Sequence, residues 1–333
     1  METKIFKKDD IPEAVKLLKQ GELVAFPTET VYGLGALATN EKAVKGVYAA
    51  KGRPSDNPLI VTVADEKMMA QYVENIPERA QKLINHFWPG PLTMILPAKE
   101  GSLPTAVTGG LPTAAFRCPN DALTHELISQ LGAPIVGPSA NTSTKPSPTT
   151  AEHVYHDLKG KIAGIIDSGP TAIGLESTII DLSVAKPIVL RPGEITPEEL
   201  GEVLGEEVLM NKGTAVTAGV PKAPGMKYRH YAPSAPVYIV DREEDFNSIP
   251  HGDDIGVVAL DSVLDKIEAK NKFSLGTSID EAAHNLFGAL RFFDNQAQIK
   301  EIYVQGFKQG DISAAYMNRL NKSAAGHHFE KNN

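Results

Sequence analysis

Four arginines occupy the first 205 residues, and three of them stand where a ligand could be held. Arg53 follows Lys51 at the end of a helical pattern, Arg117 ends the run TAAFR, and Arg191 ends PIVLR. A guanidinium is a planar fork that matches phosphate or carboxylate, and open α/β sheets gather ligands at their strand ends. Arg79, the fourth, lies inside a helical stretch and reads as a solvated surface charge. For any one of these arginines the competing reading is a surface salt bridge, which requires no ligand.

Short polar loops stand beside the cations. FPTETVYGLG (26–35) places Thr28 and Thr30 after an apolar run, with glycines that let backbone approach a ligand. KGRPSDNPL (51–59) gathers Lys51, Arg53, Ser55 and Asn57, while GPSANTSTKPSP (137–148) carries Ser139, Asn141 and Ser147. GLESTII (174–180) offers Ser177 and Thr178. Hydroxyls, amides and fixed cations without a nucleophile–base pair describe a site that aligns an anionic substrate and neutralises its charge. Ser, Asn, Gly and Pro also build ordinary turns, so each loop taken alone carries both meanings. No Walker-type phosphate loop, dinucleotide fingerprint, metal-spaced Cys/His cluster or G-x-S-x-G elbow is present.

Positioning these groups takes alternating strands and helices. Apolar spacing predicts helices over 10–20, 40–52, 77–87, 121–131, 150–158 and 197–204, with Asp10 and Asn40 as N-caps. Short apolar runs predict strands at 23–27, 59–63, 93–96, 113–117, 134–137, 163–167, 177–182 and 187–191. Several strands follow one another without a helix between them, which predicts an α/β domain with a mixed sheet over 1–205. Residues 206–236 are rich in small residues, Gly and Pro, and read as a linker. Met226, Tyr228, Arg229, His230 and Tyr231 are too concentrated for a bland tether, which predicts an ordered lid. Strands at 237–240, 255–260 and 301–306 and a helix at 279–293 predict a smaller α/β domain over 237–333, whose tail, with His327 and His328, reads as an exposed terminus.

Composition narrows the classes. The 333 residues carry a net charge of −8, with nineteen basic and twenty-four acidic side chains in residues 1–205. That balance argues against a general attraction to RNA or anionic membrane, while a local basic cleft stays open. One cysteine, Cys118, excludes an intrachain disulfide and a Cys-rich zinc site, which fits a reducing compartment. Without an apolar membrane-length run or a secretory N-terminus, the expectation is a cytoplasmic protein that does not enter a membrane.

Taken in order, FPTETVYGLG, KGRPSDNPL, FWPGPLT (87–93), GPSANTSTKPSP, GLESTIIDL and VLRPG (189–193) resemble the YrdC-like L-threonylcarbamoyladenylate synthase family. APGMKYRHYAP (223–233) and the small domain after it resemble the long, two-domain members. The resemblance implies a YrdC-like twisted mixed sheet with helices and a smaller C-terminal Rossmann-like domain. It implies a nucleotidyltransferase that makes L-threonylcarbamoyl-AMP and pyrophosphate from L-threonine, bicarbonate and ATP. The product serves N6-threonylcarbamoyladenosine formation at tRNA position 37, through a downstream transferase machinery. Implied ATP contacts are Lys51, Arg53, Ser55, Thr113, Ser139, Asn141, Ser147 and Arg191, with Tyr231 reaching from the lid. Implied threonine contacts are Thr28, Asn57, Ile60, Arg117, Gly137 and Ser177, with Arg117 on the carboxylate. Magnesium is implied on the ATP phosphates, without a metal site made by the protein and without an organic cofactor. Two other classes stay open: a carbamoyl-adenylate-forming carbamoyltransferase, whose zinc fingers one cysteine cannot supply, and an RNA-binding module.

Overall fold

The computed structural model describes residues 2–55, 57–211, 216–217, 220–221, 231–308 and 310–330. The chain divides into two compact units. One comprises residues 1–143, 148–172 and 176–227; the other comprises 144–147, 173–175 and 228–333.

The first unit is built on one eleven-stranded sheet. Its strands, in chain order, are β1 (Lys4–Phe6), β2 (Val24–Phe26), β3 (Gly33–Leu37), β4 (Ile60–Thr62), β5 (Leu92–Pro97) and β6 (Thr113–Arg117). They continue with β7 (Ile135–Val136), β8 (Gly164–Ile166), β9 (Thr178–Asp181), β10 (Ile188–Arg191) and β11 (Leu209–Met210). Their order across the sheet is β1-β8-β2-β3-β7-β4-β6-β5-β9-β10-β11. Parallel and antiparallel pairs alternate irregularly, so the sheet is mixed, as the helix-free strand successions predict.

Period-two alternation decides what each face does. In β6, Ala114 and Phe116 join the main core. Ala115 points the other way and packs with Ile60, Ile95, Ile179 and Leu190 in a separate small apolar cluster. Thr113 and Arg117 share the face of Ala115. The sheet therefore has one face committed to helix packing and another with a small apolar floor bordered by polar side chains.

Local signals set the helix ends. Asn40 accepts a bond from Ala43 N at 3.1 Å and starts the helix Glu41–Lys51, which ends at the left-handed Gly52. Thr196 and Glu199 form a reciprocal capping box at the helix Pro197–Leu204. The expectation for Asp10 is corrected: its carboxylate accepts Lys7 N at 2.8 Å, and a short 3-10 turn leads into the helix Ile11–Lys19 instead. Arg79 is corrected as well. It forms a two-pronged pair with Glu206, 2.5 and 2.6 Å, and donates to Ala185 O at 3.0 Å, which ties the helix Glu78–Phe87 to the turn after residue 204.

A short ribbon, β12 (Val216–Thr217) with β13 (Val220–Pro221), also belongs to the first unit. Of the expected lid, Met226 to His230 lie outside the described residues, while the start of the same stretch supplies β11 of the first sheet and Tyr231 is described with the second unit.

The second unit has an all-parallel sheet of β14 (Val237–Val240), β15 (Ile255–Ala259), β16 (Asn271–Ser274) and β17 (Glu301–Gln305), in the order β14-β17-β15-β16. Helices Ile279–Asp294 and Asp311–Ser323 pack on each other within it. The terminal His327 and His328 are exposed, yet they are tied to β14: Ile239 N donates to His327 O at 3.0 Å, and His328 Nδ1 lies 2.8 Å from Asp241. No helix among the described residues is long and apolar enough to cross a membrane.

Candidate functional site

The apolar floor organises the site in the first unit. At one end of β6 stands Arg117, 7% exposed. Its Nη2 donates to Glu29 Oε2 at 2.6 Å, its Nη1 to Thr30 Oγ1 at 2.8 Å, and its Nε to Gly90 O at 3.4 Å. Glu29 Oε1 in turn accepts from Asn120 N at 3.1 Å. Three of the five guanidinium N–H groups are thereby used, leaving one on each terminal nitrogen.

The loop that supplies Thr30 is shaped by Thr28. Its hydroxyl donates to Val31 O at 2.6 Å and accepts from the backbone N of Thr30 and Val31, each at 3.1 Å. Thr28 thus holds the turn, and Thr30 is the threonine that meets Arg117.

Arg191 borders the floor from β10. Its Nε donates to Ser177 O and its Nη2 to Ser177 Oγ, both at 3.1 Å. Ser177 Oγ is also 2.8 Å from Thr93 Oγ1, and Thr93 is the antiparallel neighbour of Arg117 in β5. The expected residues thus fall into two bonded groups, Arg117 with Glu29, Thr30 and Gly90, and Arg191 with Ser177 and Thr93, which adjoin where Thr93 and Arg117 pair across β5 and β6.

Lys51 lies at the end of its helix, 3% exposed. Its Nζ donates to the carbonyl of Ser139 and, at 2.9 Å, to that of Asn141. This fastens the helix end to loop 137–143. Gly137 of that loop is held close against β4: a Cβ there would come within 2.5 Å of Thr62 Oγ1 and 2.9 Å of the Phe26 ring. Its N–H donates to Ile60 O at 2.9 Å, so these two backbone groups satisfy each other.

Asn57 is fully buried, and neither Nδ2 nor Oδ1 has a hydrogen-bond partner. Its carbonyl is bonded by Tyr48 OH at 2.5 Å, which pins the loop while leaving the amide unmatched. Such an orphaned group costs roughly 1–3 kcal/mol. Arg53 is half-buried and Ser55 exposed in the same loop. Thr113, 8% exposed, stands at the opposite end of β6 from Arg117, about 13 Å away at the usual strand rise.

Burial sets the ionisation of the surroundings. Tyr32, whose hydroxyl donates to Gly169 O at 2.7 Å, is pushed up to about 12. The Cys118 thiol is pushed up to about 11 by burial and donates to Ala64 O. Asp121 is raised for the same reason, against the opposing bonds at its own helix cap. Among the described residues, no group of three or more His, Cys, Asp or Glu side chains could hold a metal ion.

Ser147 and Tyr231 belong to the second unit. Ser147 is buried there. Tyr231 has a φ of 64°, rare for a residue with a Cβ, and its ring centroid is 5.1 Å from that of Phe287. The next residue, Ala232, donates its N–H to Thr144 O at 2.8 Å.

Reading the sequence misses Glu29 and Thr93. Glu29 left a signal, a lone charge inside an otherwise neutral loop; Thr93 left none, since it looks like any strand residue.

The Sua5/YciO/YrdC family model, described as telomere recombination, matches residues 16–193, and that of the threonylcarbamoyl-AMP synthase C-terminal domain matches 195–325. The threonylcarbamoyl-AMP synthase of Bacillus subtilis is 45% identical, over 95% of this chain and 93% of its own length. That of Pyrococcus abyssi is 44% identical, over 93% of each. The crystal structure of P. abyssi Sua5 complexed with L-threonine superposes with a TM-score of 0.88 at 41% identity, covering 98% of this chain and 99% of that one. Agreement of this extent in sequence and in fold has one meaning: the chain belongs to the threonylcarbamoyl-AMP synthase family.

Proposed function

We propose that this protein makes L-threonylcarbamoyl-AMP and pyrophosphate from L-threonine, bicarbonate and ATP. The observation that carries the reading is two buried arginines along one apolar floor, Arg117 held by Glu29 and Thr30 and Arg191 held by Ser177, with Thr93 between them bonded to Ser177 and paired in register with Arg117. Three anionic groups have to meet for this reaction. Cations held on a sheet face, in low dielectric and already oriented, lower the cost of that meeting.

In this reading the threonine carboxylate takes the two remaining N–H groups of Arg117, near Ser177 and the Thr28 turn. The amide of Asn57 and the backbone around Ile60 and Gly137 meet the amino-acid and carbamate part. Lys51, Arg53, Ser55, Thr113, Ser139, Asn141 and Arg191 receive ATP. The amine and bicarbonate form a carbamate, and a carbamate oxygen then attacks the α-phosphorus while pyrophosphate leaves. Alignment supplies much of the rate, since a bimolecular encounter becomes an intramolecular one. Magnesium, on this reading, arrives with the substrate phosphates, and no step here depends on a protein-bound ion. The product is a reactive mixed anhydride that suits transfer of the threonylcarbamoyl group to tRNA by downstream machinery. We assign the chemistry to residues 1–205, with 206–236 as a connecting segment and 237–333 as a second domain.

Incubation with ATP, threonine and isotopically labelled bicarbonate tests the reading. Mass spectrometry is expected to find one label in an adenylate of threonylcarbamoyl mass. An unlabelled adenylate, or threonyl-AMP itself, contradicts it.

A further inference from the structure

We propose that Glu29 is the subsite for the α-ammonium of the amino-acid substrate and the acceptor of the proton that this ammonium must lose. The inference rests on the threonine-binding reading of Arg117.

Glu29 and Arg117 each have side chains only 9% exposed, and their charged atoms are 2.6 Å apart. A buried ion pair of this kind is weak evidence for stability, because desolvation offsets much of its attraction. It is well suited to a zwitterion, which carries both charges on a single carbon. A carboxylate seated on the two remaining Arg117 N–H groups places its own ammonium within a few ångströms of the guanidinium. The anion bonded to that guanidinium is Glu29. Each Glu29 oxygen accepts one bond, Oε2 from Arg117 and Oε1 from Asn120 N, and a carboxylate oxygen has room for a second. The nearby Asp121 is committed elsewhere: it caps its helix through Thr124 N at 2.9 Å and lies 3.5 Å from Ser168 Oγ.

The proton has a defined course. The ammonium gives one proton to the Glu29 carboxylate, which becomes a neutral acid. The freed amine lone pair forms a C–N bond to the bicarbonate carbon. The C–OH bond breaks, and the departing hydroxide takes a second proton from nitrogen and leaves as water. The carbamate remains, and Glu29 returns its proton to solvent.

Calorimetry on the full-length protein tests the subsite, using L-threonine and (R)-3-hydroxybutyrate, which is threonine without its amine. Wild type is expected to prefer threonine. Glu29→Gln is expected to lose about 10-fold or more for threonine, the scale of a charged hydrogen bond, with little change for 3-hydroxybutyrate. At saturating threonine its kcat is expected to fall about 100-fold or more, as for loss of a general base. Glu29→Asp, which keeps the charge, is expected to recover part of the preference. Equal losses for both ligands would mean that Glu29 only props Arg117 and would overturn the proposal, as would an unchanged kcat. Wild-type threonine binding with an unaffected Glu29→Gln overturns the subsite alone. No threonine binding by wild type overturns the reading of Arg117 as well.

Discussion

Arg117 uses three N–H groups inside the protein and keeps one on each terminal nitrogen, and this split fixes what a substitution does. Lysine keeps the charge but has neither the fork nor the simultaneous reach to Glu29, Thr30 and Gly90. Arg117→Lys is expected to weaken threonine binding by about 1.5–3 kcal/mol, measured by calorimetry, in a protein that still folds. Asn57 makes the converse case. Its amide atoms are buried and unmatched, so Asn57→Ala removes a penalty along with some packing. The expected result is an unchanged or slightly raised Tm together with a large loss of adenylate formation. A Tm drop of the size seen when a bonded buried amide is deleted would count against a role in ligand binding. Cys118 is a buried hydrocarbon-like filler, its thiol pushed up to about 11. Alkylation by iodoacetamide at pH 8 is expected to be negligible in the folded protein and rapid after denaturation.

At the scale of elements, the second unit is tied internally by Asp294 at the end of the helix Ile279–Asp294. Its carboxylate accepts from Lys145 Nζ at 2.7 Å and from Ser234 N at 2.6 Å. Burial on its own would raise this carboxyl, but those bonds outweigh it and hold it below its ordinary value. A depressed carboxyl contributes stability that is present above its unfolded pKa, near 4, and is lost as pH falls through the folded value. Melts of wild type between pH 7 and pH 3 should therefore show a larger loss of Tm than those of Asp294→Asn. At neutral pH the variant should be less stable by about 1.5–3 kcal/mol. A parallel pH dependence in both proteins would contradict this.

The same scale shows what was legible beforehand. Strands such as Thr113–Arg117 and helices such as Pro197–Leu204 are readable because alternation, caps and stop residues agree. β3 is not, since GLGAL looks like a loop. Its Gly33 is there because the Phe26 ring fills the space a Cβ would need, approaching it to 2.4 Å. The helix Asp311–Ser323 is missed because Arg319 and Ser323, both buried, interrupt its apolar period. In the site, Arg117, Ser177 and Arg191 were readable as residues at strand ends. The bond between Arg191 and Ser177, and the choice of Thr30 over Thr28 as the partner of Arg117, depend on pairings between distant strands that no local pattern encodes.

For the molecule as a whole, a net charge of −8 works against the approach of ATP and bicarbonate, so attraction has to be local. On this account the buried cations Lys51 and Arg191 and the half-buried Arg53 supply it, since the charge of Arg117 is balanced by Glu29. Because the account requires three substrates to condense on one sheet face, each should be indispensable. Pyrophosphate release from ATP, with threonine and bicarbonate each omitted in turn, measures this directly. The account predicts release only when all three are present, and background levels when either threonine or bicarbonate is withheld. Release at the full rate without threonine would contradict it.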